Sequence, residues 1–289
     1  MAPDPPPPPP SIAYALRGIE GRPSALEVKT CVVGFSSGRL RLLEGDGIER
    51  ATKGGRRLIV ERGRAIVLDA GDPEGCVQYR VALQSGVREG LLGDGGVLVR
   101  PEGAPTDTKI TVEFEEGAGR FVTPYETSEG GLVPRASFLE RSTTWARSEG
   151  SVERSLRVGE VELRLAILPG PRAISDEALV DHVVRALNLA VRLAPERYPK
   201  TLLVAIAPSV GSTSGSPISF GLARRGGGAS VLFVLDERAT EETLAHDWVA
   251  VHELSHLAFP AMPRSEAWLT EGWATYFQEV LRARAAPAQ

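Results

Sequence analysis

Basic runs, long apolar stretches, cysteine and histidine are all scarce in this 289-residue chain, and each shortage removes a class of function. No Lys/Arg-rich run stands out among 33 basic and 37 acidic residues, and the formal net charge is −4, so the electrostatic footprint of a nucleic-acid binder is missing. No apolar stretch approaches the roughly twenty residues that a membrane-crossing helix needs. Nor does a charged and then apolar leader open the chain as given. Residues 1–10 are Met-Ala-Pro-Asp and six prolines, a disordered tail or linker that stays extended and solvated. The compartment stays open: cytoplasmic by default, extracytoplasmic if a signal has been removed. Cys31 and Cys76 lack metal-ligand spacing and are expected to be buried free thiols in strands rather than a bridge.

What is present suffices for a core: 42% of the residues are hydrophobic, and the length predicts one large or two modest domains. Residues 11–168 read as a β-rich domain. Val77, Tyr79, Val81 and Leu83 alternate, as do Ile110, Val112 and Phe114, and again Val161, Leu163, Leu165 and Ile167. Gly54-Gly55, Gly93 to Gly96 and Gly130-Gly131 suit hairpin turns between such strands. An antiparallel sandwich-like layout follows. Tyr125, Phe138 and Trp145 fall in a stretch, 120–147, that shows no firm period and stays unassigned.

The texture changes at Pro169-Gly170-Pro171, which opens a second domain, 169–289. Ser175 is a natural N-cap for a helix with Asp176 and Glu177 in its first turn and Leu179, Val183, Leu187, Ala190 and Leu193 at helical spacing. His182 on that helix, without a ligand-type partner four residues on, reads as a surface or rim residue. Thr201 to Ala207 is a continuous apolar run, as in a strand covered on both faces. Gly211 to Pro217 reads as a loop. Gly226-Gly227-Gly228 invites a phosphate-binding reading, which is weak because a strand rather than a helix follows and the Walker lysine is absent.

The chain has four histidines, and three of them, His246, His252 and His256, fall within one short segment. His252-Glu253-Leu254-Ser255-His256 places two imidazoles four residues apart, one above the other on a helix, which is half a zinc site. Glu253 lies to the side of the pair, where a carboxylate can move a proton without ligating the metal. The helix is expected to start at Thr240, an N-cap followed by Glu241 and Glu242, to run about five turns, and to stop at Pro260 and Pro263. A second helix is expected from Ser265 to Leu281, carrying Glu271. Gly272 and Ala274 would allow close helix approach, and Trp273, Phe277 and Leu281 would pack. Catalytic zinc takes three protein ligands and one open position, and two histidines with a glutamate are a standard set, so Glu271 completes the site.

His-Glu-Leu-Ser-His followed by Trp268-Leu269-Thr270-Glu271-Gly272-Trp273-Ala274 resembles the gluzincin zinc metallopeptidases, in particular the peptidase MA-like group related to the aminopeptidase N and glycyl aminopeptidase families. The resemblance is strong over about the last forty-five residues, and it implies His252, His256 and Glu271 as zinc ligands and Glu253 as general base. The gap between His256 and Glu271 is shorter than in aminopeptidase N relatives and suits the MA-like group. As a fold it implies α+β: a β-rich domain followed by a thermolysin-like α/β catalytic domain, here C-terminally truncated. The strand ahead of the zinc helix would bind substrate as an added strand, within Phe220 to Val234 and chiefly through Gly221, Leu222, Ala223 and Arg224.

Two departures stand out. Aminopeptidase N relatives hold the substrate amine with a glutamate in a Gly-x-Met-Glu-Asn segment, where this chain has Gly221-Leu222-Ala223-Arg224-Arg225. Exopeptidase and endopeptidase action both stay open. Relatives also supply an oxyanion donor well beyond the glutamate ligand. Here Tyr276 is expected to pack or orient, leaving Arg264, a group of the first domain, or a part of a longer protein to fill that role. The expected function is hydrolysis of peptide bonds in a peptide or protein substrate, by a metal-activated water with one Zn²⁺ per chain and Glu253 as base. The alternative is an inactive gluzincin-like scaffold that binds a protein or peptide.

Overall fold

The computed structural model describes residues 9–22, 24–69, 74–83, 91–129, 131–210 and 215–285, so most of the proline tail lies outside it. These residues form two compact units. The first comprises Met1–Phe121, Tyr125–Trp145 and Gly226–Gly228; the second comprises Val122–Pro124, Ala146–Arg225 and Ala229–Gln289.

The first unit is built on an eight-stranded sheet of β1 (Ser11–Gly18), β2 (Ala25–Val33), β3 (Ile48–Lys53), β4 (Arg56–Arg57), β5 (Gly75–Ala82), β6 (Lys109–Phe114), β7 (Glu126–Ser128) and β8 (Gly131–Val133), in the order β7-β8-β6-β1-β2-β5-β3-β4. A purely antiparallel sheet was the expectation, but β1 and β6 run parallel, Ser11 opposite Lys109 through Leu16 opposite Phe114. A long excursion between them, containing a separate four-stranded sheet, makes that crossover possible. Alternation buries Ile12, Tyr14 and Leu16 of β1 and Val77, Tyr79 and Val81 of β5 in one core with Leu40 and Ile66 of the smaller sheet.

Gly54 and Gly55, both at positive φ, turn β3 into β4. Asp94–Gly96 is instead a 3₁₀ turn with Asp94 buried, not a hairpin. Its carboxylate accepts from Thr143 N at 2.8 Å and from the Tyr125 hydroxyl, which pulls the turn into the core. The unassigned stretch proves to be core as well. Tyr125, Phe138 and Trp145 are fully buried, with Tyr125 edge-on to Phe138 at 6.3 Å and to Trp145 at 5.9 Å. Tyr125 stands in a bend just before β7, Phe138 in a 3₁₀ turn and Trp145 in a short strand, so no single period could report them. The three glycines also belong here: a Cβ on Gly226 would come 2.2 Å from Arg141 O, and one on Gly227 would come 2.8 Å from Pro134 Cβ. Close packing accounts for Gly226 and Gly227.

Cys31 and Cys76 are directly opposite in the β2–β5 register and form a disulfide, correcting the free-thiol expectation. Their sequence spacing could not show this, because only strand register brings the two together.

The second unit is a five-stranded sheet of β9 (Val152–Val158), β10 (Val161–Ile167), β11 (Thr201–Ser209), β12 (Ile218–Arg224) and β13 (Ala229–Asp236), ordered β9-β10-β11-β13-β12. The expected boundary after residue 168 is therefore displaced. β10 pairs in parallel with β11, so the β9–β10 hairpin belongs to this sheet and only looks, in sequence, like more of the first unit. The apolar runs of β11 and β13 make the buried centre; β12, antiparallel to β13, is the last strand. Helix α1 (Asp176–Val191) begins where expected, with Ser175 Oγ accepting from Ala178 N, and its Leu179, Val183 and Leu187 enter the same core. No helix among the described residues is long and apolar enough to cross a membrane.

Candidate active site

The single five-turn helix expected from Thr240 is two helices, α2 (Glu241–Ala245) and α3 (Val249–His256). Thr240 does cap the first, in a reciprocal box with Thr243. The break comes from Asp247. Its Oδ1 accepts from Val249 N at 3.2 Å and its Oδ2 from Ala250 N at 2.9 Å, donors that a continuous helix would have turned toward the preceding turn. Oδ2 also meets His182 Nε2 of α1 at 3.0 Å. His182 is therefore 9% exposed and paired, not a rim residue, and it fixes the place where α3 starts.

The last turn of α3 is held from outside. Tyr198 Oη donates to Leu254 O at 2.9 Å, and the Arg225 guanidinium donates to His256 O, a cation at the negative end of the helix. Helix α4 (Ala267–Ala285) follows a 3₁₀ turn at Arg264–Glu266, slightly later than the expected start at Ser265. It runs antiparallel to α3, because contacts descend α4 as α3 ascends. Arg282 reaches His246 O at 3.4 Å, Gln278 meets His252 at 2.8 Å, and Glu271 meets His256 at 3.6 Å. Phe259 stacks on Phe277 and meets Trp273 at a tilt, and Ala274 and Leu281 are buried. Gly272 serves no close approach: it is exposed, and a Cβ there would meet nothing within 4 Å.

These supports bring His252, His256 and Glu271 together. The two imidazoles, one turn apart, have centroids 4.9 Å apart and planes at 84°. Glu271 Oε2 stands 3.3 Å from His252 Nε2 and 3.6 Å from His256 Nε2, while its side chain remains 61% exposed. Glu253 also brings a carboxylate oxygen within 4.8 Å of the histidine donors. However, its Oε2 accepts from Ala223 N of β12 at 3.0 Å, which draws it to the side of the pair. Gly221 makes room for it, since a Cβ there would come 2.3 Å from Glu253 Cγ.

The donor set fits zinc. Two nitrogen or oxygen ligands at about 2.0–2.1 Å from a tetrahedral zinc are about 3.3–3.4 Å apart, close to the separations from Glu271 Oε2. A second observation agrees. Gln278 Nε2 donates to Glu279 Oε1 at 2.9 Å, so Gln278 Oε1 faces His252 Nδ1 and accepts its proton at 2.8 Å. In the tautomer that this bond favours, His252 Nε2 carries the lone pair and faces a carboxylate oxygen, two acceptors that a cation between them would satisfy. Sequence reasoning missed Gln278, although it lies two helical turns past Glu271 and so on the same face.

Burial raises the Glu253 carboxyl above its ordinary 4.5; the His252 ring and the Ala223 N–H oppose this, and Glu271 adds to it. Burial also holds the His256 imidazole below its ordinary 6.5, against the pull of Glu271 and with help from His252 and Arg225. A neutral imidazole is the form that ligates metal.

Neither a protein-family model nor a curated protein matches the sequence. Solved structures do match in fold. An aminopeptidase N family protein from Idiomarina loihiensis superposes with a TM-score of 0.65 at 13% identity, over 93% of this chain and 54% of that one. The likeness is one of fold, over part of that protein. Yeast LTA4 hydrolase shares it with a TM-score of 0.52 at 11% identity, over 95% of this chain and 48% of the other. Aminopeptidase A of Legionella pneumophila, in complex with aspartic acid, gives 0.52 at 12% identity, over 95% and 37%. The chain thus spans about half the length of these structures, or less. Among the described residues, β12 is the edge strand beside Glu253, carrying Gly221, Leu222, Ala223 and Arg224. β13, included in the expected substrate segment, is interior and buried throughout, so no peptide can pair along it. Tyr276 is 63% exposed and packs edge-on against Phe277 at 5.1 Å; the Arg264 side chain lies outside the described residues.

Proposed function

We propose that this chain is a zinc-dependent peptidase in which His252, His256 and Glu271 hold the metal and Glu253 is the general base. The observation that carries the reading is the placement of one Glu271 oxygen at 3.3 and 3.6 Å from two imidazole nitrogens that come from a different helix. Zinc bound there supplies a Lewis acid and lowers the pKa of water toward neutrality.

The chain's own groups do the rest. With Oε2 tied to Ala223 N, Glu253 has Oε1 to take a proton from the attacking water and to return it to the leaving amine. Water is thereby divided across the peptide bond, its oxygen on the carbonyl carbon and its protons on the amine and the new acid. Burial helps by making Glu253 a stronger base than an exposed glutamate. β12, the last strand of its sheet among the described residues, would orient the peptide by backbone pairing. Gln278 keeps the Nε2 lone pair of His252 turned inward.

The test is hydrolysis of a quenched peptide library by the full chain, loaded with zinc and then stripped with a chelator. Chelator-sensitive cleavage restored by zinc supports the reading. Tight zinc binding without cleavage would instead leave a scaffold that binds peptide or protein.

A further inference from the structure

We infer that Trp248 is a specificity-determining residue of the site and selects peptides with an aromatic or large aliphatic side chain next to the cleaved bond; this rests on the peptidase reading above. Residues four apart stack on one face of a helix, so Trp248, His252 and His256 form a single line along α3. The backbone N–H of His252 donates to Trp248 O at 3.1 Å, which sets the indole one helical turn ahead of the first imidazole. Its ring centroid is 5.7 Å from that of His252, with the planes at 89°. The indole thus meets a proposed zinc ligand edge to face and yet stays 41% exposed.

Nothing in the local fold asks for tryptophan at this position. Trp248 is the N-cap of α3, where Ser, Thr, Asp or Asn is favoured, and its side chain makes no cap hydrogen bond. The Asp247 carboxylate accepts from Val249 N and Ala250 N instead. Nor does the indole belong to the core, although Leu244, Val249, Ala250, Val251 and Leu254 around it in sequence all do. One exposed apolar side chain would mean little by itself. Its contact with His252 is what gives it a place in the site.

A peptide bond brought to the two imidazoles carries the side chains on either side of it past the residues that flank them. A side chain laid against the indole removes apolar surface of both from water, and the gain grows with the area covered. Phenylalanine, tryptophan and leucine gain most, and alanine and glycine little. A flat ring also offers an aromatic side chain the offset or edge-on packing that rings prefer.

The experiment uses quenched peptides that differ at one position, occupied by Phe, Leu, Ala or Lys, with kcat/KM measured on the full chain and the cut mapped by mass spectrometry. Wild type is expected to cut beside that position and to favour Phe and Leu over Ala by about tenfold or more. Trp248→Ala should bring that ratio to within about twofold of unity with its zinc content kept, and Trp248→Phe should restore most of it. Tyr276→Ala removes an aromatic ring that is still more exposed and should leave the ratio unchanged. Binding has its own readout: the Phe peptide should shift the tryptophan emission of the zinc-loaded Glu253→Gln chain, and adding Trp248→Phe should remove most of the shift although three tryptophans remain. A wild type without the preference, a preference for Lys, or a preference that survives Trp248→Ala would overturn the inference and leave the peptidase reading standing. Loss of zinc from Trp248→Ala would also overturn it, making the indole a support for His252. Cleavage of none of the peptides by wild type would remove both readings.

Discussion

Replacing Gln278 by leucine isolates the scaffold's contribution to the proposed metal site. In the wild type, Gln278 Oε1 accepts the His252 Nδ1 proton at 2.8 Å, and both side chains are buried, 7% and 8% exposed. Leucine has nearly the same volume and no acceptor, so Nδ1–H would be left unsatisfied, at about 1–3 kcal/mol. The metal-free protein has an escape: the proton can move to Nε2 and bond Glu271 Oε2, 3.3 Å away. That escape blocks the ligand position. The cost therefore falls on metal binding, and zinc affinity is expected to drop about 10- to 100-fold, or about 1.4–2.8 kcal/mol, with little loss of metal-free stability. Gln278→Glu, which keeps an acceptor and adds charge, should restore or tighten binding. Competition against a chromogenic chelator measures the affinity, and circular dichroism checks the fold. A folded Gln278→Leu protein that binds zinc within about twofold of wild type would refute the orienting role.

Glu253→Gln should keep its zinc and lose turnover by about 100-fold or more, because an amide cannot accept the proton. In the metal-free protein the same change has a signed pH effect. The raised folded-state pKa means that ionising the buried carboxyl destabilises the fold as pH rises through it, so the variant should gain in melting temperature relative to wild type above that range and not below it. Gly221→Ala places a Cβ 2.3 Å from Glu253 Cγ and should reduce kcat with zinc content unchanged, as read by single-turnover kinetics and elemental analysis. Asp247→Ala removes the start of α3 and the buried partner of His182; urea unfolding should show a loss of about 3 kcal/mol. Replacing Cys31 and Cys76 with serine opens a link across a sequence separation of 45, worth about 4 kcal/mol by loop-closure entropy, and should lower the melting temperature without affecting zinc binding.

Local signals were readable and distant ones were not. Ser175 and the apolar spacing of α1, the unbroken apolar run of β11, and the pair His252 and His256 each depend on residues within a few turns or one strand, so sequence pattern reports them directly. Asp247 looks like an ordinary helical residue until His182, 65 positions earlier, is seen holding it. The disulfide and the parallel β1–β6 pair depend on strand register, which no local window contains. The β9–β10 hairpin shows why the domain boundary slipped: period-two alternation reveals a strand but not the sheet it joins. Gln278 was within reach, since the spacing that puts Glu271 beside the histidine pair also puts the residue two turns later on the same face of α4.

The central claim is that one cation is shared by side chains from two helices, and zinc content after exhaustive dialysis tests it most directly, with wild type compared with Glu271→Ala. One zinc per wild-type chain and a loss of most of it in a variant that still folds is the expected result. Equal zinc in both proteins, or none in the wild type, would contradict it.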